Sequence, residues 1–333
     1  MKQKILIVCG TTASGKTSFA LKIARKLGNT SLISIDSRQS YQGLPILTGQ
    51  DIPPDFVRHT TNKIKYNDLP AVYFSSSPTS GHKIRIWGVD QVPYTQVLNI
   101  STFTKFIWQI IKSETIKNRY LIIVGGTGLY LKAITNQMSN IHLGFDQSLR
   151  NKLNKFSLTE LQKKLKLCNP QRLKNMNQSD RNNPRRLIRA IEIASVSKTT
   201  KTDYFDLQKN TDFRWIGLKV DDQTLKNNIR LRVLKRLNNQ VVNEVKMLNK
   251  IQKNHQAPIN SALGLKAITQ YYRQEITKQD LIKTWTQADF SYAKRQRTWF
   301  KKQPSIIWYD EYKNDTHLVD ELSLWLNNNG NNK

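Results

Sequence analysis

The sequence has few of the features that mark disulfide-bonded, secreted or membrane-spanning proteins. It contains only two cysteines, Cys9 and Cys168, which lie far apart, so neither a disulfide framework nor a cysteine-ligated metal site is expected. No apolar run approaches the roughly 18 residues needed to span a bilayer. The apolar run at residues 5–9 is too short for the core of a signal peptide. We therefore expect a cytoplasmic protein without a membrane segment.

Acidic residues are also scarce. The chain carries 24 Asp and Glu against 53 Lys and Arg, which gives a net charge of +29 and a pI near 10.1. Lysine and asparagine are abundant throughout and account for part of this excess. A surplus of this size nevertheless favours a polyanionic partner over a small neutral substrate.

A phosphate-binding loop is predicted at GTTASGKT, residues 10–17. It follows an apolar run typical of a buried strand and precedes a helical pattern that stops at Gly28, which is the context a P-loop requires. Backbone N–H groups of such a loop point at an anion, Lys16 adds positive charge, and Thr17 offers a hydroxyl group to Mg²⁺. The residues predicted to surround a di- or triphosphate are Gly10, Thr11, Thr12, Ala13, Ser14, Gly15, Lys16 and Thr17. The loop does not identify the reaction.

The order of the elements predicts an α/β fold: a P-loop NTPase-like parallel sheet flanked by helices, with an all-helical insertion domain. Strand patterns alternate with helical ones, whereas residues 145–200 contain only amphipathic helical pieces. Ser101 is a plausible cap for a helix, and one long helix is expected to run from Ile229 to Val245. The predicted divisions are a first part of the P-loop core (1–140), a helical insertion (141–204), the rest of the core with long helices (205–326) and a disordered tail (327–333).

Two further groups are expected at the edge of the sheet beside the P-loop. Asp36 follows the second predicted strand, and ligands of open α/β sheets bind at that edge. A carboxylate there can accept a proton from a nucleophile that attacks a bound phosphate ester, although it can also only cap a helix or hold a loop. Thr127 lies in a glycine-rich turn after another strand. Kinase and transferase chemistry both remain open on these residues alone.

Six motifs, in order, resemble those of the tRNA dimethylallyltransferases, also called tRNA isopentenyltransferases. The similarity spans residues 4 to about 303. DSRQ and AKRQRTWF are the specific parts, whereas the P-loop is shared with many enzymes. The motifs are GTTASGKT (10–17), DSRQSYQG (36–43), VGGTGLYLKAI (124–134), NPRRLIRAIEI (183–193), SALGLKAI (261–268) and YAKRQRTWF (292–300).

The resemblance implies a prenyltransferase that acts on tRNA with Mg²⁺ as cofactor. The P-loop would hold the diphosphate of dimethylallyl diphosphate. Asp36 would be the general base for the exocyclic amine (N6) of the adenosine that is 3′-adjacent to the anticodon, with Thr127 and Arg232 completing the catalytic set. The expected partner is a tRNA anticodon stem-loop, and a monomer is expected. The residues predicted to bind tRNA are Asp36, Ser37, Arg38, Gln39, Arg150, Arg185, Arg186 and Arg189.

Some positions depart from the family pattern. LPILTGQD (44–51) replaces a run that usually reads Asp-Ile-Gly-Thr-Ala-Lys-Pro, and Arg236 and Asp289 stand where a methionine and a threonine are usual. The aromatic side chains of Trp285, Tyr292 and Trp299 are expected to pack in the core rather than stack on bases. The proposed catalytic residues are intact, so an active enzyme is expected.

Three alternatives remain on the sequence. A small-molecule P-loop kinase explains the loop and Asp36 but not the basic helical insertion or AKRQRTWF. An adenylate isopentenyltransferase acting on free AMP shares the chemistry but does not need a charge of +29. A non-catalytic RNA-binding protein explains the charge but leaves the P-loop without a role.

Overall fold

The structure is a computed structural model, and its described residues fall into two compact units. These units are Met1–Asn136 with Asp206–Lys333, and Gln137–Phe205. The predicted boundaries near 140 and 204 lie outside the described residues, as does most of the predicted tail. The described residues are 2–66, 69–76, 84–93, 96, 98–136, 146–195, 205–251, 258–310 and 316–328.

The first unit is built on one sheet with the order β3-β4-β5-β2-β6-β1-β7-β8. The strands β5, β2, β6, β1, β7 and β8 run parallel to one another. Strand β4 pairs antiparallel with β5 on one side and with β3 on the other. This confirms the predicted P-loop NTPase-like parallel sheet. The strands are β1 (Gln3–Gly10), β2 (Thr30–Ser34), β3 (Phe56–Tyr66), β4 (Leu69–Ser76), β5 (Arg85–Trp87), β6 (Tyr120–Gly125), β7 (Thr211–Lys219) and β8 (Ile306–Asp310).

Helices flank this sheet because its central strands are apolar on both faces. In β1, for example, the side chains of residues 5–9 are fully buried. The helices of the first unit are α1 (Lys16–Leu27), α2 (Pro45–Thr48), α3 (Ile100–Ile116), α4 (Gly128–Thr135), α10 (Phe205–Lys209), α11 (Asp222–Arg236), α12 (Asn239–Ile251), α13 (Leu265–Tyr272), α14 (Lys278–Phe300) and α15 (Thr316–Asn327).

The second unit contains only helices among its described residues. A small core of leucine, isoleucine and methionine side chains holds them together, with Leu161, Leu165 and Leu187 at its centre. Asn and Ser side chains cap several of these helices, as short helices need. They are α5 (Gln147–Leu153), α6 (Leu158–Cys168), α7 (Pro170–Lys174), α8 (Gln178–Arg181) and α9 (Pro184–Ala194).

Two helix predictions were wrong in detail. The apolar period from Ile229 to Val245 spans two helices, because α11 ends at Arg236 and Asn238 Oδ1 accepts a hydrogen bond from Val241 N at 3.1 Å to begin α12. Helix α3 is capped by Asn99 rather than Ser101, since Asn99 Oδ1 accepts from Thr102 N at 2.9 Å. Across the described parts of the chain, no helix has the length and apolar character that a membrane crossing requires.

Candidate active site

A pocket opens at the C-terminal edge of the three adjacent strands β2, β6 and β1. The parallel register brings the ends of these strands level, with Cys9 opposite Gly125 and Ser34 opposite Val124. The segments that follow the strands therefore meet at one edge, as ligand-binding segments of open α/β sheets do. The pocket is lined by residues from the P-loop, from the segment after β2, and from α11 and α14.

The P-loop wraps around the entrance to α1. Gly10 has a φ of +147°, and a Cβ atom there would lie 2.9 Å from Leu218 O, so only glycine fits. Ala13 and Gly15 also have positive φ, at 58° and 78°. Lys16 Nζ donates a hydrogen bond to Thr11 O. The hydroxyl oxygen of Ser14 is buried without a hydrogen-bond partner among the described residues, which leaves the loop with an unsatisfied polar atom close to where phosphate oxygens would bind.

Arg232 reaches the P-loop from α11. Its Nη1 donates to Thr12 Oγ1 at 2.9 Å, its Nη2 donates to Gly49 O at 3.1 Å, and its Nε donates to Asp51 Oδ2 at 3.0 Å. The guanidinium group therefore lies between the loop and the segment after α2. This placement suits an arginine that meets the charge of a phosphate group.

Asp36 lies two residues beyond the end of β2 and is half-buried on the pocket wall. Its Oδ1 accepts a hydrogen bond from Arg38 N at 2.9 Å. Gln39 joins the end of β2 to the segment after α2, because it accepts from Ser34 Oγ at 2.8 Å and donates to Gly49 O at 2.6 Å. Asp36 thus shapes its own loop through one oxygen while its carboxylate faces the pocket.

Gln296 connects the P-loop to the turn after β6. Its Oε1 accepts from Thr12 N at 2.7 Å and its Nε2 donates to Gly126 O at 2.9 Å. The sequence prediction did not single out Gln296, although it lies inside the AKRQRTWF motif. The prediction of core packing fits Trp285, which is fully buried, but Tyr292 instead lines the pocket.

Burial raises the pKa of the Tyr292 hydroxyl, and the negative charge of Asp36 raises it further. The neighbouring Thr127 side chain lowers this pKa by a smaller amount. Thr127 is therefore close to Tyr292, although only Tyr292 lines the pocket.

The pocket brings together most, but not all, of the residues predicted to bind the donor, to catalyse, or to bind tRNA at positions 36–39. Gly10, Thr11, Ser37 and Thr127 lie outside its lining. The predicted residues that do line it are Thr12, Ala13, Ser14, Gly15, Lys16, Thr17, Asp36, Arg38, Gln39 and Arg232.

The predicted tRNA-binding arginines of the helical unit are mostly paired with acids. Glu192 is buried and binds two of them, with Arg150 Nη2 at 2.9 Å and Arg189 Nη1 at 3.2 Å. Arg186 pairs with Asp180, whereas Arg185 is exposed. Arg150 and Arg189 therefore stabilise the unit through Glu192, and their contact with RNA stays a prediction.

The pocket fits a magnesium ion that is bound together with phosphate. Magnesium keeps several waters and takes one or two protein oxygens plus phosphate oxygens. Over the residues the structure describes, no cluster of three or more His, Cys, Asp or Glu could hold a metal by itself. Thr17 and Asp36 nevertheless place a hydroxyl and a carboxylate on the pocket lining, and Ser14 adds an unpartnered hydroxyl.

Comparison with known proteins places this site in a family. The IPP transferase family pattern matches residues 66–303. The chain is 31% identical over 305 residues to tRNA dimethylallyltransferase 2 of Treponema denticola, covering 90% of this chain and 92% of that protein. It is 30% identical over 315 residues to tRNA dimethylallyltransferase 1 of Azobacteroides pseudotrichonymphae, covering 93% and 94%.

Solved structures agree with the sequence comparison. The tRNA Δ(2)-isopentenylpyrophosphate transferase of Staphylococcus epidermidis superposes with a TM-score of 0.62 at 25% identity, covering 98% of this chain and 99% of that one. The full-length tRNA isopentenylpyrophosphate transferase of Bacillus halodurans shares the fold, with a TM-score of 0.62 at 24% identity and coverage of 98% and 96%. The chain belongs to the tRNA dimethylallyltransferase (IPP transferase) family of prenyltransferases.

Proposed function

We propose that this protein transfers the dimethylallyl group of dimethylallyl diphosphate to N6 of the adenosine 3′-adjacent to the anticodon in tRNA, and releases diphosphate. The observation that carries the proposal is that one pocket is lined by both the P-loop with Arg232 and the carboxylate of Asp36. A leaving group and a base are needed on opposite sides of the reacting carbon, and this pocket offers a site for each.

The reaction forms a bond between N6 and C1 of the dimethylallyl group as the bond between C1 and the diphosphate oxygen breaks. The bonding electron pair leaves with diphosphate, whose extra negative charge must be met. Lys16, Arg232 and the loop N–H groups can do this, because preorganised donors stabilise charge where it develops. The allylic carbon shares positive charge over its double bond, so a loose displacement is feasible.

The exocyclic amine of adenosine is a weak nucleophile because its lone pair is delocalised into the ring. Loss of a proton to Asp36 during the attack keeps positive charge from building on the nitrogen. Oδ1 of Asp36 already accepts from Arg38 N, so Oδ2 is the oxygen we assign to the proton. Arg38 and Gln39 flank the base on the pocket wall and are placed to seat the adenosine.

We infer that Mg²⁺ is the cofactor and that Thr17 contributes a ligand. When bound, the ion supplies positive charge to the diphosphate oxygens. The net charge of +29 supports a tRNA acceptor, because Lys and Arg contacts to phosphates supply most of the sequence-independent affinity for nucleic acid. Given this acceptor, we place the enzyme in the cytoplasm and expect it to act as a monomer.

A transfer assay tests this proposal. Purified protein, Mg²⁺ and dimethylallyl diphosphate labelled in the dimethylallyl group would be offered unmodified tRNA, AMP, or a nucleoside with ATP in parallel. The proposal predicts label in tRNA only, and release of diphosphate in equal amount. Label in AMP would favour an adenylate isopentenyltransferase. Consumption of ATP without transfer of label would favour a kinase.

A further inference from the structure

Arg236 is a buried arginine in the pocket with no hydrogen-bond acceptor for part of its guanidinium group. It follows Arg232 by one helical turn, so the two share a face of α11. Arg236 is 8% exposed and lines the same pocket. Its Nε and Nη2 have no hydrogen-bond partner among the described residues. Leaving buried charged donors unpaired costs free energy, so an acceptor is expected to bind here.

The two guanidinium groups converge above Gly49. A Cβ atom added to Gly49 would overlap the guanidinium of Arg236 and lie 2.6 Å from Arg232 Nη2. Gly49 also has a φ of +65°. Burial, followed by the neighbouring charge of Arg232, lowers the pKa of Arg236 to about 10. Arg236 therefore stays charged at neutral pH, and a buried cation beside the partly exposed Arg232 forms a site for an anion.

The carboxylates nearby do not satisfy Arg236. Asp51 Oδ2 lies 3.7 Å from Arg236 Nη2, beyond hydrogen-bond distance, and its closer contacts are with Arg232. Asp289 is 4% exposed, and its Oδ1 also lacks a hydrogen-bond partner among the described residues. Burial raises the pKa of the Asp289 carboxyl. The charges attract one another, but no hydrogen bond joins Arg236 to either acid.

We propose that Arg236 is a second diphosphate-binding arginine, which donates with Arg232 to the diphosphate oxygens of the prenyl donor. Asp51 is the counter-ion of this pair in the free protein and is displaced when the donor binds. Asp51 suits this part because it is half-exposed and can turn toward water. The proposal rests on the proposed function, since it assumes that the pocket receives a diphosphate.

Binding of inorganic pyrophosphate with Mg²⁺ to the full chain, measured by calorimetry, tests the proposal without the transfer reaction. Charge-assisted hydrogen bonds contribute about 1.5–3 kcal/mol each, and about 1.4 kcal/mol corresponds to a tenfold change in affinity. We expect Arg236→Met to weaken pyrophosphate binding by about tenfold to a hundredfold. Arg230→Met, an exposed arginine on the same helix, is the matched control and should bind as the wild type does. Asp51→Asn should bind pyrophosphate more tightly, because it removes the competing anion.

Several results would overturn the proposal. If Arg236→Met lowers the melting temperature but binds pyrophosphate as tightly as the wild type, Arg236 serves only as a structural counter-ion. Arg236→Lys keeps the charge but loses the planar fork, so it should also weaken binding, and unchanged affinity in both variants refutes the assignment. Weaker binding by Asp51→Asn contradicts the displacement step. If the wild type itself does not bind pyrophosphate, the proposed function fails as well. Failure of the proposed function is thus seen in the wild type, whereas failure of the Arg236 assignment alone is seen only in the variants.

Discussion

Replacement of Gln296 by methionine should loosen the P-loop and lower donor affinity together. Gln296 is 7% exposed and holds Thr12 N and Gly126 O at 2.7 and 2.9 Å. Methionine has a similar length and removes both hydrogen bonds. Each bond contributes about 1 kcal/mol, and each polar group left unsatisfied costs about 1 kcal/mol or more. The two lost bonds and the two unsatisfied groups therefore sum to an expected loss of stability of about 4 kcal/mol, which corresponds to a fall in melting temperature of about 6 °C for a chain of 333 residues.

The measurements are thermal unfolding and the affinity for pyrophosphate with Mg²⁺. Because Thr12 also accepts from Arg232 Nη1 at 2.9 Å, displacement of Thr12 should disturb that arginine as well, and we expect pyrophosphate binding to weaken by about tenfold, or about 1.4 kcal/mol. Gln287→Met is the matched control, since Gln287 is exposed on the same helix. A Gln296→Met variant with the melting temperature and affinity of the wild type would show that this connection does not shape the loop.

Three further predictions concern other parts of the chain. Glu114 is buried against Ser31 and three basic side chains. Burial opposes ionisation, but hydrogen bonds from Lys117 and Ser31 and the charge of Arg85 lower its pKa overall. Glu114→Gln should lower the free energy of unfolding by about 3 kcal/mol at neutral pH. In denaturant titrations, the difference in stability between wild type and variant should disappear as the pH falls through the lowered pKa of Glu114. A thiol reagent should modify exposed Cys168 quickly and buried Cys9 only on unfolding, because burial raises the pKa of Cys9 to about 12 and the thiolate is the reactive form. Rapid modification of both thiols in the folded protein would contradict the burial of β1. Arg185→Ala should weaken tRNA binding a few-fold and reduce its salt dependence without changing pyrophosphate affinity, and an unchanged salt slope would remove Arg185 from the interface.

Local signals predicted the parts of the site that are local. One continuous run of residues contains β1, the turn at Gly10 and the start of α1, so their arrangement follows from short-range sequence patterns. The position of Asp36 beside the loop follows from the parallel register of neighbouring strands. The helical character of the second unit is likewise visible in amphipathic periods, although its acid–base pairing through Glu192 is not.

The rest depends on contacts between distant parts of the chain. Gln296 meets Thr12 across 284 positions, and no local pattern distinguishes this glutamine from its neighbours. The hairpin of β3 and β4 lies in a stretch rich in Pro, Ser, Thr and Asn, which reads as loop on composition. The apolar periodicity could not predict the break between α11 and α12, because the four-residue apolar spacing continues through it. In the sequence, Arg236 stands out only as a departure from the family pattern. The lack of hydrogen-bond partners for its guanidinium group can be seen only in the folded structure.

Single-turnover transfer of the dimethylallyl group to tRNA by Asp36→Asn, measured beside pyrophosphate and tRNA binding, tests the central claim most directly. Asparagine keeps an oxygen for Arg38 N and so preserves the loop, but it cannot take a proton. Asp55→Asn is the control, since Asp55 is exposed and pairs with Arg25 at 3.1 Å. We predict that Asp36→Asn slows transfer by about a hundredfold or more with both ligands still bound. Transfer at the wild-type rate by Asp36→Asn would contradict the assignment of Asp36 as the base.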